Sequence, residues 1–301
     1  MKKTIFKIFK PCADIAKTQA RKYTRSKAGN FFFFLFLFLF GLFSVLPLIY
    51  CITTSLKPLD ELMVFPPRLF RVLRPTFQNF TALPDILSSL SVPLSRYISN
   101  SLFISIAGTL LHVLVASMAA FVLSKSDLKH KNLIFIIVQF SLLFNTYTLA
   151  IPQYLIYTGL HVIDTFLVYL LPYIPSAMGV FLMKQYMDGY IPDAIIEAAH
   201  VDGSGWVRTF FFIVLPNIKP CLLTLILFSF RDLWAAVPAG TVFSENLKTL
   251  PTVVATIASG GIARSGSAMA ATVIMMIPPI TVYLISQGSV KESMSSAGIK
   301  G

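Results

Sequence analysis

Long apolar runs alternate with short polar ones along this chain, and the length of each run decides how it is read. Phe31 to Tyr50 is 20 residues without a charge, enough at about 1.5 Å per residue to cross a hydrocarbon core of about 30 Å. A cleaved signal peptide has a shorter apolar region and a small-residue cleavage site, so this run reads as a retained first span. The second span is Asn100 to Leu123. The third runs from Leu133 to about Tyr157 and is interrupted near Pro152. The fourth, Thr165 to Met183, has kinks at Pro172 and Pro175 and ends inside at Lys184. The fifth is Asn217 to about Pro238. A sixth reaches about Ile285 and bends at Pro278-Pro279. The expected architecture is an all-α membrane protein of six transmembrane helices with both termini on the cytoplasmic side.

The polar segments fix that orientation. Residues 1–30 hold nine Lys/Arg and one acid, Asp14, and form a basic cytoplasmic tail by the positive-inside rule. Thr54 to Arg96 is the first outer loop, where six prolines exclude long helices. Its Arg68, Arg71 and Arg74 run against the rule, which long loops obey weakly. They suit either an acidic partner surface or lipid headgroups, and equally a solvated charge run. The chain is 55% hydrophobic and 13% charged, against about 25% charged in soluble domains. Its +12 charge therefore marks a membrane flank, and no nucleic-acid partner is expected. Cys12, Cys51 and Cys221 are far apart and make neither a metal-ligand spacing nor a disulfide framework.

One segment between apolar runs cannot sit in lipid. Pro192 to Pro216 carries Asp193, Glu197, Asp202 and Arg208. Pro192 opens a helix, Asp193 and Glu197 lie near its positive end, and Gly203 with Gly205 stop it after about three turns. Trp206 to Leu215 then grows more apolar until Pro216, where the next span begins. This is a short amphipathic helix on the membrane surface, joined at both ends to spans. Glu197-Ala198-Ala199, three residues, Gly203, nine residues, then Ile213-Val214-Leu215-Pro216 resembles the EAA loop of ABC-importer permeases. The loop preceding the last two spans is also where that family carries it. Asp202 lies within the same motif. The resemblance implies that Glu197, Ala198, Ala199, Asp202, Gly203 and Pro216 couple the chain to an ATPase.

Weaker likenesses support the same family. SLKPLDEL…FPP…PTFQNF, in the first outer loop, LKTLP near Glu245 and Lys248, and the ending SSAGIKG are similar to maltose-type carbohydrate permeases. FSFRDLWAAV, GGIARSGSAMAA and KESMSSAGIK look like permeases for complex, sometimes uronate-bearing, oligosaccharides.

Four residues within the spans are candidates for the solute path. An ionisable residue inside the membrane is a functional candidate by default. His112 qualifies, although a neutral imidazole bonded to a neighbouring helix is the commoner outcome. Arg231 and Asp232 are adjacent in the fifth span, about 100° apart around the helix, so they should not satisfy each other fully and one should face a wet cavity. Trp234, one turn on, offers a flat apolar face of the kind that stacks on sugar rings. The family often has Trp-Asn here; this chain has Trp234-Ala235, so no Asn contact carries over. Gly260, Gly261, Gly266, Ala268, Ala270 and Ala271 make the start of the last span small-sided, which fits a subunit interface.

Neither a P-loop nor H-E-x-x-H nor G-x-S-x-G is present. A secondary transporter should show repeats and paired intramembrane carboxylates; only Asp232 is seen. A membrane enzyme would need more clustered chemistry than His112, Arg231 and Asp232. The reading is a type I ABC importer permease fold: a cytoplasmic tail (1–30), a six-span domain (31–288) with its coupling loop at 190–216, and a cytoplasmic C-terminal tail (289–301). The resemblance implies a bacterial plasma-membrane importer of a carbohydrate, an oligosaccharide either neutral or acidic. Its partners would be a second permease, two ATP-binding cassette subunits and an extracytoplasmic sugar-binding protein. ATP and Mg²⁺ would sit on the ATPase subunits, with no cofactor or metal held by this chain.

Overall fold

The computed structural model describes residues 27–66, 68–88, 92–144, 146–238 and 240–298, with backbone alone for 27, 146, 147 and 289–298. Nearly all of the basic tail and the last three residues, Lys300 among them, lie outside the described residues. Every regular element described is helical. The chain divides into two units, at Tyr50 and Cys51.

The first unit contains most of α1 (Lys27–Ser55). From Phe31 to Phe43 its large side chains are exposed on every side, with Phe34 stacked on Phe38 and Phe36 on Phe40 at the i,i+4 spacing. A helix apolar all round belongs in lipid.

In the second unit, the outer segment carries the short helices α2 (Leu59–Leu62) and α3 (Gln78–Ser88). The segment is held by side chains bonded to backbone. The Glu61 carboxylate accepts the Leu73 N–H at 2.9 Å, and Asn79 donates to the Ser55 and Lys57 carbonyls at 2.8 and 2.7 Å. Of the three arginines, Arg74 pairs with Asp60.

The central element is α4 (Leu94–Lys125). It starts two turns before the expected Asn100, because Pro93 at its N-cap lacks an N–H that the first turn cannot use anyway. After it come α5 (Lys131–Ser141), α6 (Thr146–Gly159), α7 (Leu167–Leu170) and α8 (Ala177–Tyr190). The interruption expected at Pro152 is elsewhere: Pro152 is accommodated within α6. The break follows Ser141, whose hydroxyl bonds back to the Val138 carbonyl at 2.7 Å, while Leu142, Leu143 and Phe144 tighten to i−3 bonds. Residues Leu171–Ser176, with both prolines, do break the fourth apolar run. Its helix does not end at Lys184, however; Lys184 pairs with Asp188 at 2.6 Å and α8 continues to Tyr190, stopping before Pro192.

Next are α9 (Asp193–Val201), α10 (Trp206–Thr209), a π-turn (Phe210–Val214), α11 (Leu215–Asn217) and α12 (Lys219–Trp234). A 3₁₀ turn (Glu245–Leu247), α13 (Leu250–Ala258) and α14 (Ile262–Gly298) complete the chain, α14 running through Pro278-Pro279. Among the described residues three helices are long and apolar enough to cross a membrane: Ala28–Ser55, Leu94–Lys125 and Ile262–Gly288. The bent pair Trp206–Asn217 and Lys219–Trp234 qualifies as a fourth.

In this second unit α4 packs against α8 and α12, and α14 packs against α12, α13 and α3. Three of the small residues expected at a subunit interface have another use. Ala268, Ala270 and Ala271 are buried in this chain's own core beside Leu83, Leu87, Tyr97 and Ile257, letting α14 lie close to α3 and α13.

Candidate functional site

The motif helix α9 is seated at one end of α4. Ile196 and Ala199 are each 5% exposed, three positions apart on one face. Ile196 enters a core with Phe121, Met187, Ile191, Phe210 and Val214. Truncating it to Ala removes about 2–5 kcal/mol. Glu197, Ala198, Val201 and Asp202 are exposed on the other face, Val201 at 87%. Lys125, at the end of α4, donates to the Ile191 carbonyl at 2.5 Å and to Asp193 at 2.7 Å. The Lys125 ammonium holds the Asp193 carboxyl below its ordinary 3.8.

Gly203 ends α9 as expected. Its φ of +79° is left-handed, its N–H bonds to the His200 carbonyl, and the Ser204 N–H bonds to Ala199 at 2.9 Å. This is a Schellman cap, in which a side chain with a Cβ would be strained. The reversed chain places Trp206 edge-on to His200 and to Phe121, at 4.6 and 5.7 Å between ring centres. A shallow pocket of about 280 Å³ opens between Ala199, Asp202, Ser204, Arg208, Phe212 and Ile213.

Pro216 stands three residues before α12. It lies in α11, and the turn before it, Phe210–Val214, is π-helical. The proline ring would clash with the Phe212 carbonyl four residues back, and the wider turn relieves that contact. The chain then leaves helical geometry at Ile218 (φ −102°, ψ 14°). The segments on either side meet at 85°. The surface helix thus continues through one wide turn and one sharp bend into α12.

The candidates for the solute path lie further along. Arg231 and Asp232 pair with each other: Nε and Nη2 of Arg231 donate to one Asp232 oxygen at 3.0 and 2.9 Å. The long arginine side chain folds back across the 100° between them and reaches one of the two carboxylate oxygens. Both side chains remain open, at 68% and 47%. Trp234 is not the exposed platform expected of it. It is 2% exposed, its indole N–H donates to the Met275 carbonyl at 2.9 Å, and its ring stacks on Phe230. His112 is buried and its Nδ1 donates to the Tyr173 carbonyl at 2.6 Å. That carbonyl lies in the break between α7 and α8, where it also accepts the Ser176 N–H at 3.3 Å. A Cβ on Gly179 would come within 2.4 Å of the imidazole Nε2, so the glycine makes room for the ring.

At this same end the loops are stapled together. Asp164, at φ +60°, accepts the Phe243 and Ser244 N–H groups at 2.9 and 2.8 Å as well as the Ser244 hydroxyl. The Ser244 hydroxyl and these two N–H groups hold its carboxyl below 3.8. Glu245 accepts the Tyr97 hydroxyl at 2.8 Å and pairs with Lys248. Among the described residues no cluster of His, Cys, Asp and Glu suits a metal ion.

Comparisons with known proteins point one way. No protein-family model matches the chain. The inner membrane ABC transporter permease protein YcjP of Escherichia coli is 26% identical over 284 residues, covering 93% of this chain and 99% of that one. The chain is a homologue of ABC-transporter permeases. The arabinooligosaccharides transport permease AraQ of Bacillus subtilis is also 26% identical, over 86% and 92% of the two chains. The sulfoquinovosyl glycerol permease SmoH of Agrobacterium fabrum is 27% identical over 87% and 90%. Among solved structures, a bacterial ABC transporter that imports the acidic polysaccharide alginate matches with a TM-score of 0.73. It is 20% identical and covers 88% of this chain and 98% of that one. The fold is that of an ABC importer permease, in an all-helical membrane protein.

Sequence reading missed two parts of this permease homologue. One is the Lys125–Asp193 pair, for which only opposite charges at two helix ends gave a signal. The other is a set of tyrosines around Gln153, which helical spacing hints at in Tyr154 with Tyr157 and in Tyr169 with Tyr173.

Proposed function

We propose that the chain is the membrane-spanning subunit of a binding-protein-dependent ABC importer that moves a carbohydrate, an oligosaccharide, across the bacterial plasma membrane. The observation that carries this reading is α9. Its inner face is fastened to the core by Ile196 and Ala199 while Glu197, Ala198, Val201 and Asp202 stand in solvent. An exposed Val201 beside two carboxylates suits a soluble partner's groove better than open water.

In this reading a pair of ATP-binding cassette subunits, which hold ATP and Mg²⁺, grips α9 and moves it as a rigid lever. The π-turn and the bend at Ile218 pass that movement to α12, giving alternating access to the bilayer's two sides. A second permease and an extracytoplasmic sugar-binding protein complete the assembly. The helix pairs α5 with α6 and α7 with α8 each count as one broken span. With α1, α4, α12 and α14 they make six, both termini cytoplasmic. The transport names of the relatives support a carbohydrate cargo, neutral or acidic.

The test is to purify the tagged full-length chain from its native membranes. A second permease and an ATPase should co-purify in fixed ratio, and Glu197→Lys should release the ATPase while keeping the permease. A chain that purifies without an ATPase overturns the reading.

A further inference from the structure

Away from α9, at the first third of α4, a cavity of about 410 Å³ opens between α6, the turn after α7 and the segment that follows α12. Ile104 of α4 packs in the same cluster as its walls. Four tyrosines line it, Tyr154, Tyr157, Tyr169 and Tyr173, together with Gln153 and Thr241; none of its lining residues is Asp, Glu, Lys, Arg or His. The volume lies within the roughly 300–1,000 Å³ of small-molecule sites.

The walls are fixed and the inner surface is not used up. Tyr157 and Tyr169 are 5% and 2% exposed, the first bonded to the Gln153 amide nitrogen and the second to the Leu247 carbonyl. Thr241 is held through its carbonyl by the Asp164 N–H at 3.0 Å. Tyr154 is 43% exposed and Tyr173 half-buried, and neither hydroxyl bonds to another described residue. The Gln153 amide oxygen is likewise without a bond among the described residues.

These groups match one chemistry. Ring faces take up the C–H faces of a pyranose, while hydroxyls and an amide oxygen bond to its hydroxyls. A purely apolar ligand would leave those polar groups unpaired, and an anionic sugar would shed water with no cation in the wall to meet it. The nearby Arg231 is already engaged by Asp232. We propose that this cavity is a carbohydrate-contact site belonging to this chain itself, which takes an uncharged sugar unit between Tyr154 and Tyr173 with Gln153 as its hydrogen-bond partner. The proposal rests on the carbohydrate-importer reading and adds where the cargo is touched and which charge state fits.

The test uses the full-length chain in lipid nanodiscs and saturation-transfer NMR, with maltotriose, arabinotriose and raffinose as neutral probes and trigalacturonate as the acidic one. Uptake of the same sugars is measured in cells carrying the whole transporter. At least one neutral probe should bind, and trigalacturonate should bind far more weakly. Tyr154→Ala and Gln153→Ala should each weaken the neutral probe about tenfold, with Tyr154→Phe falling between wild type and Tyr154→Ala. Tyr154 is exposed, so its truncation removes no core packing. Neutral binding and uptake that persist unchanged in all three variants place the contact elsewhere and overturn the proposal while the importer reading stands. Preference for trigalacturonate overturns it as well. A wild-type transporter that neither binds nor imports any of the four sugars overturns the proposal together with the carbohydrate reading.

Discussion

Lys125 Nζ lies 2.7 Å from Asp193 Oδ1 and joins the end of the central helix α4 to the first residue of the surface helix α9. The two ends differ in environment: the lysine side chain is 5% exposed, the aspartate 77%. Removing the aspartate charge therefore costs little, about 0.2–1 kcal/mol. Removing the ammonium also strips the Ile191 carbonyl of its donor, at about 1–3 kcal/mol. In thermal unfolding of the chain in nanodiscs, Lys125→Met should lower the midpoint clearly more than Asp193→Asn does. Equal shifts would mean that the bond to Ile191 contributes nothing.

The same pair sets a pH dependence. The folded Asp193 carboxyl lies below its ordinary 3.8 because of Lys125. A depressed carboxylate adds stability that is full above its unfolded value and is lost as the pH falls through the folded one. The stability gap between wild type and Asp193→Asn should be constant above about pH 5 and close in more acidic solution. A gap that changes between about pH 6 and pH 8 would point to another titrating group.

Glu197 stands on the solvent face of α9, away from Ile196 and Ala199. Glu197→Lys should lower uptake and substrate-stimulated ATP hydrolysis by about tenfold or more, as charge reversal at an interface centre does. The amount of subunit in the membrane should stay near normal, since no core contact is lost. Wild-type transport by the variant would remove Glu197 from the coupling role.

Gly179 and His112 are matched in size. Gly179→Ala would put a methyl group 2.4 Å from Nε2, an overpacking that costs about 1–3 kcal/mol. Combining it with His112→Ala should restore part of the lost stability, because the ring that was struck is gone. The double variant still lacks the imidazole bond to the Tyr173 carbonyl, which keeps only the longer Ser176 N–H bond, so recovery should stop short of wild type. No recovery at all would show that the methyl group meets something other than the imidazole.

Arg231 and Asp232 form a neutral pair within an apolar helix. Arg231→Gln alone leaves a carboxylate without its counter-charge where charges are costly. Arg231→Gln with Asp232→Asn removes both. The double variant should be recovered from membranes in larger yield than the single one, with a coupling energy of about 1 kcal/mol in unfolding. Additive losses would mean that the two residues act separately, with Arg231 serving another partner or the cargo.

What the sequence determined by itself is local. A run of 20 uncharged residues at Phe31–Tyr50 makes a membrane-crossing helix wherever it is placed, because an unpaired backbone in lipid is too costly. Pro192 and Gly203 bound α9 through their own φ preferences, so the motif helix and its left-handed cap were legible, as was the membrane character of the whole. Contacts between helices were not legible, because periodicity shows which residues share a face and says nothing of what that face meets. Trp234 reads as a free platform until Met275 supplies a carbonyl to its indole and Phe230 covers its ring. Ala268 to Ala271 read as an interface until α3 and α13 fill it. The π-turn before Pro216 packs Phe210 and Val214 beside Phe121 in the core, and the tyrosine-lined cavity gathers residues from α6, α7 and the segment after α12. Only packing brought those segments together, and it did so by burying Ile104, Tyr157, Tyr169 and Leu233 in one cluster.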